Sequence, residues 1–288
     1  MAFDPKCDKF PYPIDTDKHY LIVKKNDGTV FDKNYPYIDN SKSFRFKRKV
    51  MKILLIIIAK PVVAIRLGLK VKGKKNLKKH KDIIKKGIVS TSNHVHMWDY
   101  LALSTTLLHH KLHVLSWAPD ISGENGKMIR LTGGIPIPEN DLRATVTYLK
   151  SVNKMIKDGG WLQIYAEGSM WEYYQPIRPF KKGMAYFSIK NDVPILPMAF
   201  SYRKPGWIRR KIFKQIALFT LNIGEPIYPN KELEGNDAEI DLTTRVHDEV
   251  CRLAGINPKE NIYEPIFNDS KRIDYYTDTY GLNYKGSH

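Results

Sequence analysis

The sequence has little cysteine and no long uninterrupted apolar run. Its two cysteines, Cys7 and Cys251, stand at opposite ends and form no spacing typical of a metal or redox site. No secretory signal peptide is recognisable at the N-terminus, which favours a reducing cytosolic setting. No stretch of about 18 uncharged apolar residues occurs. The sequence therefore disfavours both a secreted disulfide scaffold and a protein with a simple transmembrane helix.

Motifs of several common enzyme classes are also missing. There is no G-x-x-x-x-G-K-[ST] loop, so nucleoside triphosphate chemistry has no support. Ser169 follows a glycine but lacks the G-x-S-x-G turn of serine hydrolases. His94 and His96 partly match a zinc motif of metallo-hydrolases, but Trp98 and Tyr100 stand where that motif needs an aspartate and a further histidine. A metal-dependent hydrolase is thus a minor alternative, and no metal is predicted.

Acidic residues are scarce relative to basic ones. The chain has 47 Lys and Arg against 30 Asp and Glu, a formal net charge of +17. Such an excess indicates an anionic partner: nucleic acid, an anionic membrane surface or a phosphorylated substrate. The basic residues concentrate around an apolar segment, and no known nucleic-acid-binding module is present. An anionic membrane surface is therefore the expected partner, and nucleic acid is not.

Residues 1–43 are predicted to form an accessory segment with a β-hairpin. The apolar runs at residues 20–23 and 29–31 flank Asn26-Asp27-Gly28, a strong turn signal between two short strands.

Residues 44–75 are predicted to be amphipathic membrane-docking helices. The segment is apolar with basic flanks, Lys52 and Arg66 interrupt it, and Pro61 is expected to kink or end a helix at Lys60. This pattern suits helices that lie in the membrane interface with cations at the headgroups. A buried core helix with a basic edge is the alternative.

Residues 76–288 are predicted to form the main α/β domain, a mostly parallel central sheet flanked by helices, because apolar strand patterns alternate with helical ones. Strands are expected at residues 88–91, 112–117, 161–165, 193–199 and 221–223. Helices are expected at residues 100–110, 141–157 and 180–189.

The sequence NHVHMWD, residues 93–99, lies where a predicted strand ends and a helix begins. This is the usual place for chemistry in an open α/β sheet. His94 and Asp99 would lie about 140° apart in one helix, so they can meet only if His94 occupies the turn and Asp99 the start of the helix. In that arrangement the carboxylate can hold the imidazole in the tautomer that a general base needs.

A second polar cluster follows the predicted strand at residues 161–165. Glu167 and Gly168 place a carboxylate and an exposed backbone at the edge of the sheet. Arg178 comes next, and Lys181 and Lys182 lie near the N-terminus of a predicted helix, where cations suit a phosphate better than they suit the helix itself.

The order of these segments resembles the glycerolipid acyltransferase family, which includes the bacterial 1-acyl-sn-glycerol-3-phosphate acyltransferases. NHVHMWD resembles the family's first block, a histidine, four residues and an aspartate. GGIPIPE from Gly133 is similar to the second block, YAEGSM from Tyr165 to the third, and VPILP from Val193 to the fourth. The resemblance covers roughly residues 44–230.

Two arginines of the family's pattern are missing here. Glu139 stands in place of the arginine of the second block and Met170 in place of that of the third. In the family those arginines are thought to hold the acceptor's phosphate, a task that suits a bidentate guanidinium. Either the acceptor lacks that phosphate, or nearby cations replace the arginines. The candidates are Arg130, Arg143, Arg178, Lys181 and Lys182.

The resemblance implies a membrane-surface O-acyltransferase in which His94 is the general base and Asp99 orients it. The acyl chain would pass from acyl-CoA or acyl carrier protein to the hydroxyl of a lysophospholipid, with 1-acyl-glycerol-3-phosphate as the preferred acceptor. No resident cofactor is implied, because the thioester is a co-substrate. The protein would be peripheral or monotopic, at the cytoplasmic face of a membrane.

The resemblance also assigns the surrounding residues. The acceptor and its phosphate are expected against Glu167, Gly168, Arg178, Lys181 and Lys182. The acyl donor or the oxyanion is expected near Gly133, Gly134 and Pro194. A non-catalytic membrane-binding protein with the same fold is the main alternative, because the missing arginines would permit the loss of acceptor recognition.

Overall fold

A seven-stranded, mostly parallel sheet flanked by helices organises the chain. The computed structural model describes residues 3–5, 27–139 and 141–261. The helices are α1 (Lys42–Leu54), α2 (Lys60–Arg66), α3 (Lys74–Lys79), α4 (Lys81–Lys85), α5 (Asp99–Thr106), α6 (Ala118–Ser122), α7 (Gly126–Thr132), α8 (Leu142–Lys157), α9 (Gly183–Asn191), α10 (Trp207–Lys211) and α11 (Gly235–Ala254). The strands are β1 (Lys70–Lys72), β2 (Ile88–Thr91), β3 (Leu112–Trp117), β4 (Gly134–Ile137), β5 (Trp161–Ile164), β6 (Ile195–Arg203) and β7 (Leu218–Ile223).

The strand order places β2 at the centre of the sheet. The order is β1-β7-β6-β2-β5-β3-β4, and every neighbouring pair is parallel except β6 and β7. The prediction of a mostly parallel α/β sheet is confirmed. The carboxyl ends of β2, β5, β3 and β4 lie at one edge, so the loops that follow these strands share that edge.

Side chains on the strands alternate between two buried cores, one on each face of the sheet. Ile88 and Trp161 belong to one core, whereas their neighbours Val89 and Leu162 belong to the other. Both strands start with two consecutive apolar residues, one for each face, and this pattern predicted β2 and β5 from the sequence.

Residues 42–66 form a helical run that is interrupted by a π-helical turn at Leu55–Ala59. Pro61 lies in the first turn of α2, where its missing N–H costs little. The helix does not end at Lys60 as predicted: α-helical geometry stops at Leu54, a π turn follows, and α-helical geometry resumes at Lys60. A π turn ahead of a proline accommodates the missing backbone hydrogen bond.

This helical run rests on the domain by a narrow buried stripe, Leu55, Val63 and Leu67. Most of its other apolar side chains are exposed. They are Phe46, Val50, Ile53, Leu54, Ile56, Ile57, Ile58, Val62 and Ile65. The alternative hypothesis, that this segment is a buried core helix, is therefore wrong for most of the segment. In the parts of the chain that the structure covers, no helix has the length and apolar character needed to cross a bilayer.

The sheet begins inside the segment predicted to be only membrane-docking helices. β1 pairs with β7, and the Asn76 side chain donates hydrogen bonds to the carbonyls of Ile223 and Gly224. Of the predicted N-terminal hairpin, residues 29–31 form no strand, and the arm at residues 20–23 lies outside the described residues.

His113 in β3 holds α1 against the sheet. Its Nε2 accepts from Arg48 at 2.9 Å, and its Nδ1 donates to the carbonyl of Lys111 at 3.0 Å. Arg48 also donates to the carbonyl of Leu112. This pattern needs a neutral imidazole, and burial together with Arg48 lowers the pKa of His113 to about 3.

The protein should lose stability as the pH falls below about 6.5. His113 is protonated in the unfolded chain at such a pH, whereas it stays neutral in the folded protein. At pH 5 this histidine alone should cost up to about 2 kcal/mol of unfolding free energy. Urea midpoints between pH 7 and pH 5 measure the loss. In His113→Gln, whose side chain can still accept from Arg48, the urea midpoint should fall less between pH 7 and pH 5 than in the wild type. In the control His109→Gln, which replaces an exposed histidine, the midpoint should fall as much as in the wild type. Equal slopes in all three proteins would contradict this assignment.

Candidate active site

His94 and Asp99 meet in the turn between β2 and α5. Asp99 is the first residue of α5, and His94 lies in the preceding turn. Asp99 Oδ2 is 3.2 Å from His94 Nδ1 and also accepts from the backbone N–H groups of Val95 at 2.6 Å and His96 at 2.9 Å. Asp99 is fully buried, whereas the His94 side chain is 24% exposed. The imidazole thus has its carboxyl partner inside and its other edge accessible.

Two neighbours fix the His94 turn. Asn93 forms a double hydrogen bond with the backbone of Phe200 in β6, at 2.7 and 2.9 Å. The ring of Tyr165 stacks on the His94 ring with centroids 4.0 Å apart and planes 15° apart. One neighbour sets the turn and the other sets the plane of the imidazole.

The His94 ring is neutral at neutral pH. Burial lowers the pKa of its imidazole to about 3, against an ordinary value of 6.5. Burial raises the pKa of Asp99, and the amide hydrogen bonds from Val95 and His96 oppose that rise. A neutral ring in this position donates Nδ1–H to Asp99 and keeps a lone pair on Nε2. This is the tautomer that proton abstraction at Nε2 requires.

Glu167, just beyond β5, connects the two loops of the site. Its Oε2 accepts from the backbone N–H of His94 and from Arg178 Nη2, both at 2.9 Å. Its Oε1 accepts from the backbone N–H of Arg178 at 3.0 Å. Because all these bonds are internal, Glu167 positions His94 and does not face an acceptor. This corrects the expectation that it contacts the acceptor.

Arg178 is also internal. It is 1% exposed, its guanidinium donates to Glu167, to the hydroxyl of Ser169 and to the Ser169 carbonyl, and it stacks over the Trp171 ring at 4.5 Å. A guanidinium that is buried and held by these internal contacts cannot reach a phosphate in solution or in the cavity. The expectation that Arg178 holds the acceptor's phosphate is therefore corrected to a positioning role.

A cavity of about 840 Å³ opens at the same edge of the sheet and reaches His94. Its wall is mainly apolar and aromatic, and Gly134, Gly168 and Lys181 line it. The cavity extends between α5, α7 and the ends of β3 and β4. The apolar lining includes Trp98, Leu101, Val114, Leu115, Met128, Ile129, Ile137, Ile164 and Phe187. Such a wall accommodates a long apolar group with one end at the imidazole.

Three of the other predicted site residues lie away from the cavity. Gly133 ends α7 with a φ of 114°, its N–H donates to the Arg130 carbonyl, and a side chain there would collide with the carbonyl of Leu112. Pro194 is buried, and its carbonyl accepts from Val89. Lys182 donates a hydrogen bond to the Asn236 side chain at the protein surface. These positions support the fold, which corrects their assignment to the substrates.

Gly168 does line the cavity, with a φ of 84° that favours glycine. Its N–H, however, donates to the carbonyl of Tyr165 at 3.0 Å, so it closes a turn and is not an oxyanion donor. The aliphatic part of Lys181 lies against Gly168, since a Cβ added there would come 2.9 Å from Lys181 Cε. Among the predicted phosphate-binding cations, Lys181 is the one on the cavity wall.

The positions of the two missing arginines face the cavity. Glu139 and Met170 both line it, and Glu139 accepts from Trp117 Nε1 at 2.9 Å. Neither alternative arginine takes their place. Arg130 donates to the carbonyls of Tyr37, Pro36 and Gly134, and Arg143 is exposed on α8.

His96 is a buried structural histidine. Its Nδ1 accepts from the Trp98 N–H at 3.1 Å, and its Nε2 lies 3.3 Å from Glu172 Oε1. Both ring nitrogens have internal partners, so this ring does not share a ligand site with His94.

Sequence reasoning missed four residues that build this site: Asn93, Tyr165, Ser169 and Glu172. Asn93 and Tyr165 adjoin the motifs that were recognised, so their position was a usable signal. Nothing in the sequence pairs Ser169 with Arg178 or Glu172 with His96.

The fold and this site together define an α/β enzyme domain with a buried carboxyl and a neutral histidine at the mouth of an apolar cavity. A family model described as Acyltransferase matches residues 68–201. Residues 68–201 of this chain are therefore similar to an acyltransferase family.

Comparison with solved structures finds a likeness to a crystal structure of the 1-acyl-sn-glycerophosphate (LPA) acyltransferase, PlsC, from Thermotoga maritima. The identity is 20%, the TM-score is 0.49, and the match covers 76% of this chain and 83% of that one. A search of curated proteins gave no match.

Proposed function

We propose that this protein is a lysophospholipid O-acyltransferase that transfers an acyl chain from acyl-CoA or acyl carrier protein to an acceptor hydroxyl. 1-Acyl-glycerol-3-phosphate is the proposed acceptor. The observation that carries the proposal is the pair formed by His94 and Asp99, which lies at the apolar cavity of an acyltransferase-family domain.

In the proposed mechanism His94 Nε2 takes the proton of the acceptor hydroxyl as the oxygen attacks the thioester carbonyl. Asp99 favours the transient imidazolium through its bond to Nδ1. When the tetrahedral intermediate collapses, the carbon–sulfur bond breaks, and the leaving thiolate takes the proton back from His94. No acyl-enzyme forms, because the acceptor oxygen is itself the nucleophile.

The apolar wall of the cavity is proposed to hold the acyl chain. Lys181 is the cation proposed to meet the acceptor's phosphate, because it lines the cavity whereas Arg178 does not. The acidic residues Asp120, Glu124 and Glu139 on the same wall favour a second candidate, an acceptor without a terminal phosphate.

The exposed apolar face of α1 and α2 is proposed to bind the membrane from which the acceptor is taken. The basic side chains of these helices would contact anionic headgroups. The protein would then be peripheral or monotopic at the cytoplasmic face.

Lys181→Ala should raise the KM for lysophosphatidate by roughly ten- to a hundredfold, the cost of a charge-assisted hydrogen bond of about 1.5–3 kcal/mol. The KM for a monoacylglycerol, which has no phosphate, should barely change. Initial rates with labelled acyl-CoA or acyl carrier protein as donor measure both constants. Lys182→Ala is the matched control, because that neighbouring lysine bonds Asn236 outside the cavity.

Equal changes in KM for both acceptors would show that Lys181 does not recognise the phosphate. A wild-type protein that prefers monoacylglycerol would establish the phosphate-free acceptor. Failure to transfer acyl groups to any lysolipid, from either donor, would refute the proposed function.

A further inference from the structure

The connection between β6 and β7 carries a second exposed apolar cluster, distant in sequence from α1 and α2. We call it the α10 patch: Trp207, Ile208, Ile212 and Phe213. Trp207 is 65% exposed and Ile212 is 66% exposed. A cluster of large apolar side chains held in solvent usually marks an interaction surface.

Cations alternate with this apolar cluster, and residues 204–217 include no acidic residue. Lys204, Arg210, Lys211 and Lys214 are all exposed. Aromatic and aliphatic side chains among lysines and arginines are the composition of a segment that binds an anionic membrane interface.

The α10 patch is fixed beside the end of α2. Arg209 and Gln215 donate to the Ile65 carbonyl at 3.0 and 2.9 Å, and Gln215 also donates to the Arg66 carbonyl at 2.6 Å. The Ile65 side chain is itself exposed. The α10 patch therefore adjoins the apolar face of α1 and α2, and short hydrogen bonds hold the two segments together.

The location of the patch relative to His94 is also defined. β6 runs parallel to β2, and α10 follows the carboxyl end of β6, so α10 lies at the same edge of the sheet as His94. A membrane bound by this patch would lie at the edge where the cavity opens.

We propose that the α10 patch is a second membrane-insertion element, which enters an anionic bilayer surface together with α1 and α2. The four exposed cations around the patch contact lipid headgroups while its apolar side chains enter the interface. The alternative occupant, the same patch of a second copy, would bring two sets of four cations together without a counter-charge. Charge complementarity therefore favours the bilayer.

Vesicle flotation of the full chain tests the proposal without any assay of acyl transfer. Trp207→Ser/Ile208→Ser should weaken partitioning to phosphatidylcholine vesicles that contain phosphatidylserine by about tenfold or more, the value of burying one large apolar side chain. Arg210→Gln/Lys211→Gln should weaken binding to these vesicles and leave the weaker binding to pure phosphatidylcholine unchanged.

The matched control is Tyr228→Ser/Ile240→Ser. These two side chains are 50% and 45% exposed, and they follow β7, which runs antiparallel to β6 and ends at the opposite edge of the sheet. The control should bind vesicles like the wild type, and all variants should keep the wild-type thermal midpoint.

Unchanged vesicle binding of a folded Trp207→Ser/Ile208→Ser protein would overturn the proposal. So would a wild-type dimer that this substitution converts to a monomer without loss of vesicle binding, since a second copy would then be the occupant. Acyl transfer to a detergent-dispersed acceptor should be unaffected by the substitution, which separates this proposal from the proposed function.

Discussion

Replacing His94 with alanine should lower kcat for acyl transfer by about 10²–10⁴-fold, the usual contribution of a general base. The fold should persist, because the bond that Glu167 makes to this residue uses the backbone N–H, which alanine retains. Circular dichroism and a thermal midpoint check the fold, and single-turnover rates measure the chemical step. His109→Ala, which removes an exposed imidazole, is the control and should retain full activity.

Asp99→Asn should lower the rate in the same direction, because an amide cannot stabilise the imidazolium as a carboxylate does. Its oxygen can still accept from the N–H groups of Val95 and His96, so the turn should survive. A folded His94→Ala protein with wild-type turnover would eliminate the general-base mechanism.

His96→Ala should act differently, because it removes a buried partner of Glu172. It should lower the stability of the protein more than it lowers the rate of acyl transfer by the folded protein.

Arg178→Ala should lower the free energy of unfolding by about 3–5 kcal/mol, because it leaves the buried Glu167 carboxylate without its cation. Since Glu167 also holds the His94 backbone, activity on phosphate-bearing and phosphate-free acceptors should fall together. Urea unfolding at neutral pH and kcat/KM for both acceptors measure the two effects.

The double variant Glu167→Gln/Arg178→Met should recover part of the lost stability, because removing both partners leaves no unpaired buried charge. A stable Arg178→Ala protein with a raised KM for lysophosphatidate alone would instead assign the phosphate to Arg178. In that case the functional position of the Arg178 side chain would differ from its buried one.

Local sequence patterns were sufficient for five of the seven strands and for the central pair of the site. The patterns of β2 and β5 identified strands because both faces of each strand are buried. The five-residue separation of His94 and Asp99 restricted them to a turn and a helix start, which is how they meet.

The roles of the cations were not predictable from local patterns. Arg178 and Lys181 are three positions apart, yet one is buried against Glu167 and the other lines the cavity. The difference depends on Ser169 and Trp171, which surround the guanidinium only after the loop has folded. β1 was missed because a three-residue, lysine-rich strand has no apolar periodicity.

The central position of β2 determines when the His94 turn becomes rigid. Both neighbours of β2 come later in the chain, and Asn93 pairs with Phe200, 107 positions further on. During synthesis, the histidine therefore leaves the ribosome long before the strands that hold its turn. Contacts this distant in sequence slow folding. The His94 turn therefore acquires its support only when β6 joins the sheet. A nascent chain that ends before β6 contains both His94 and Asp99 but lacks the Phe200 backbone that holds their turn.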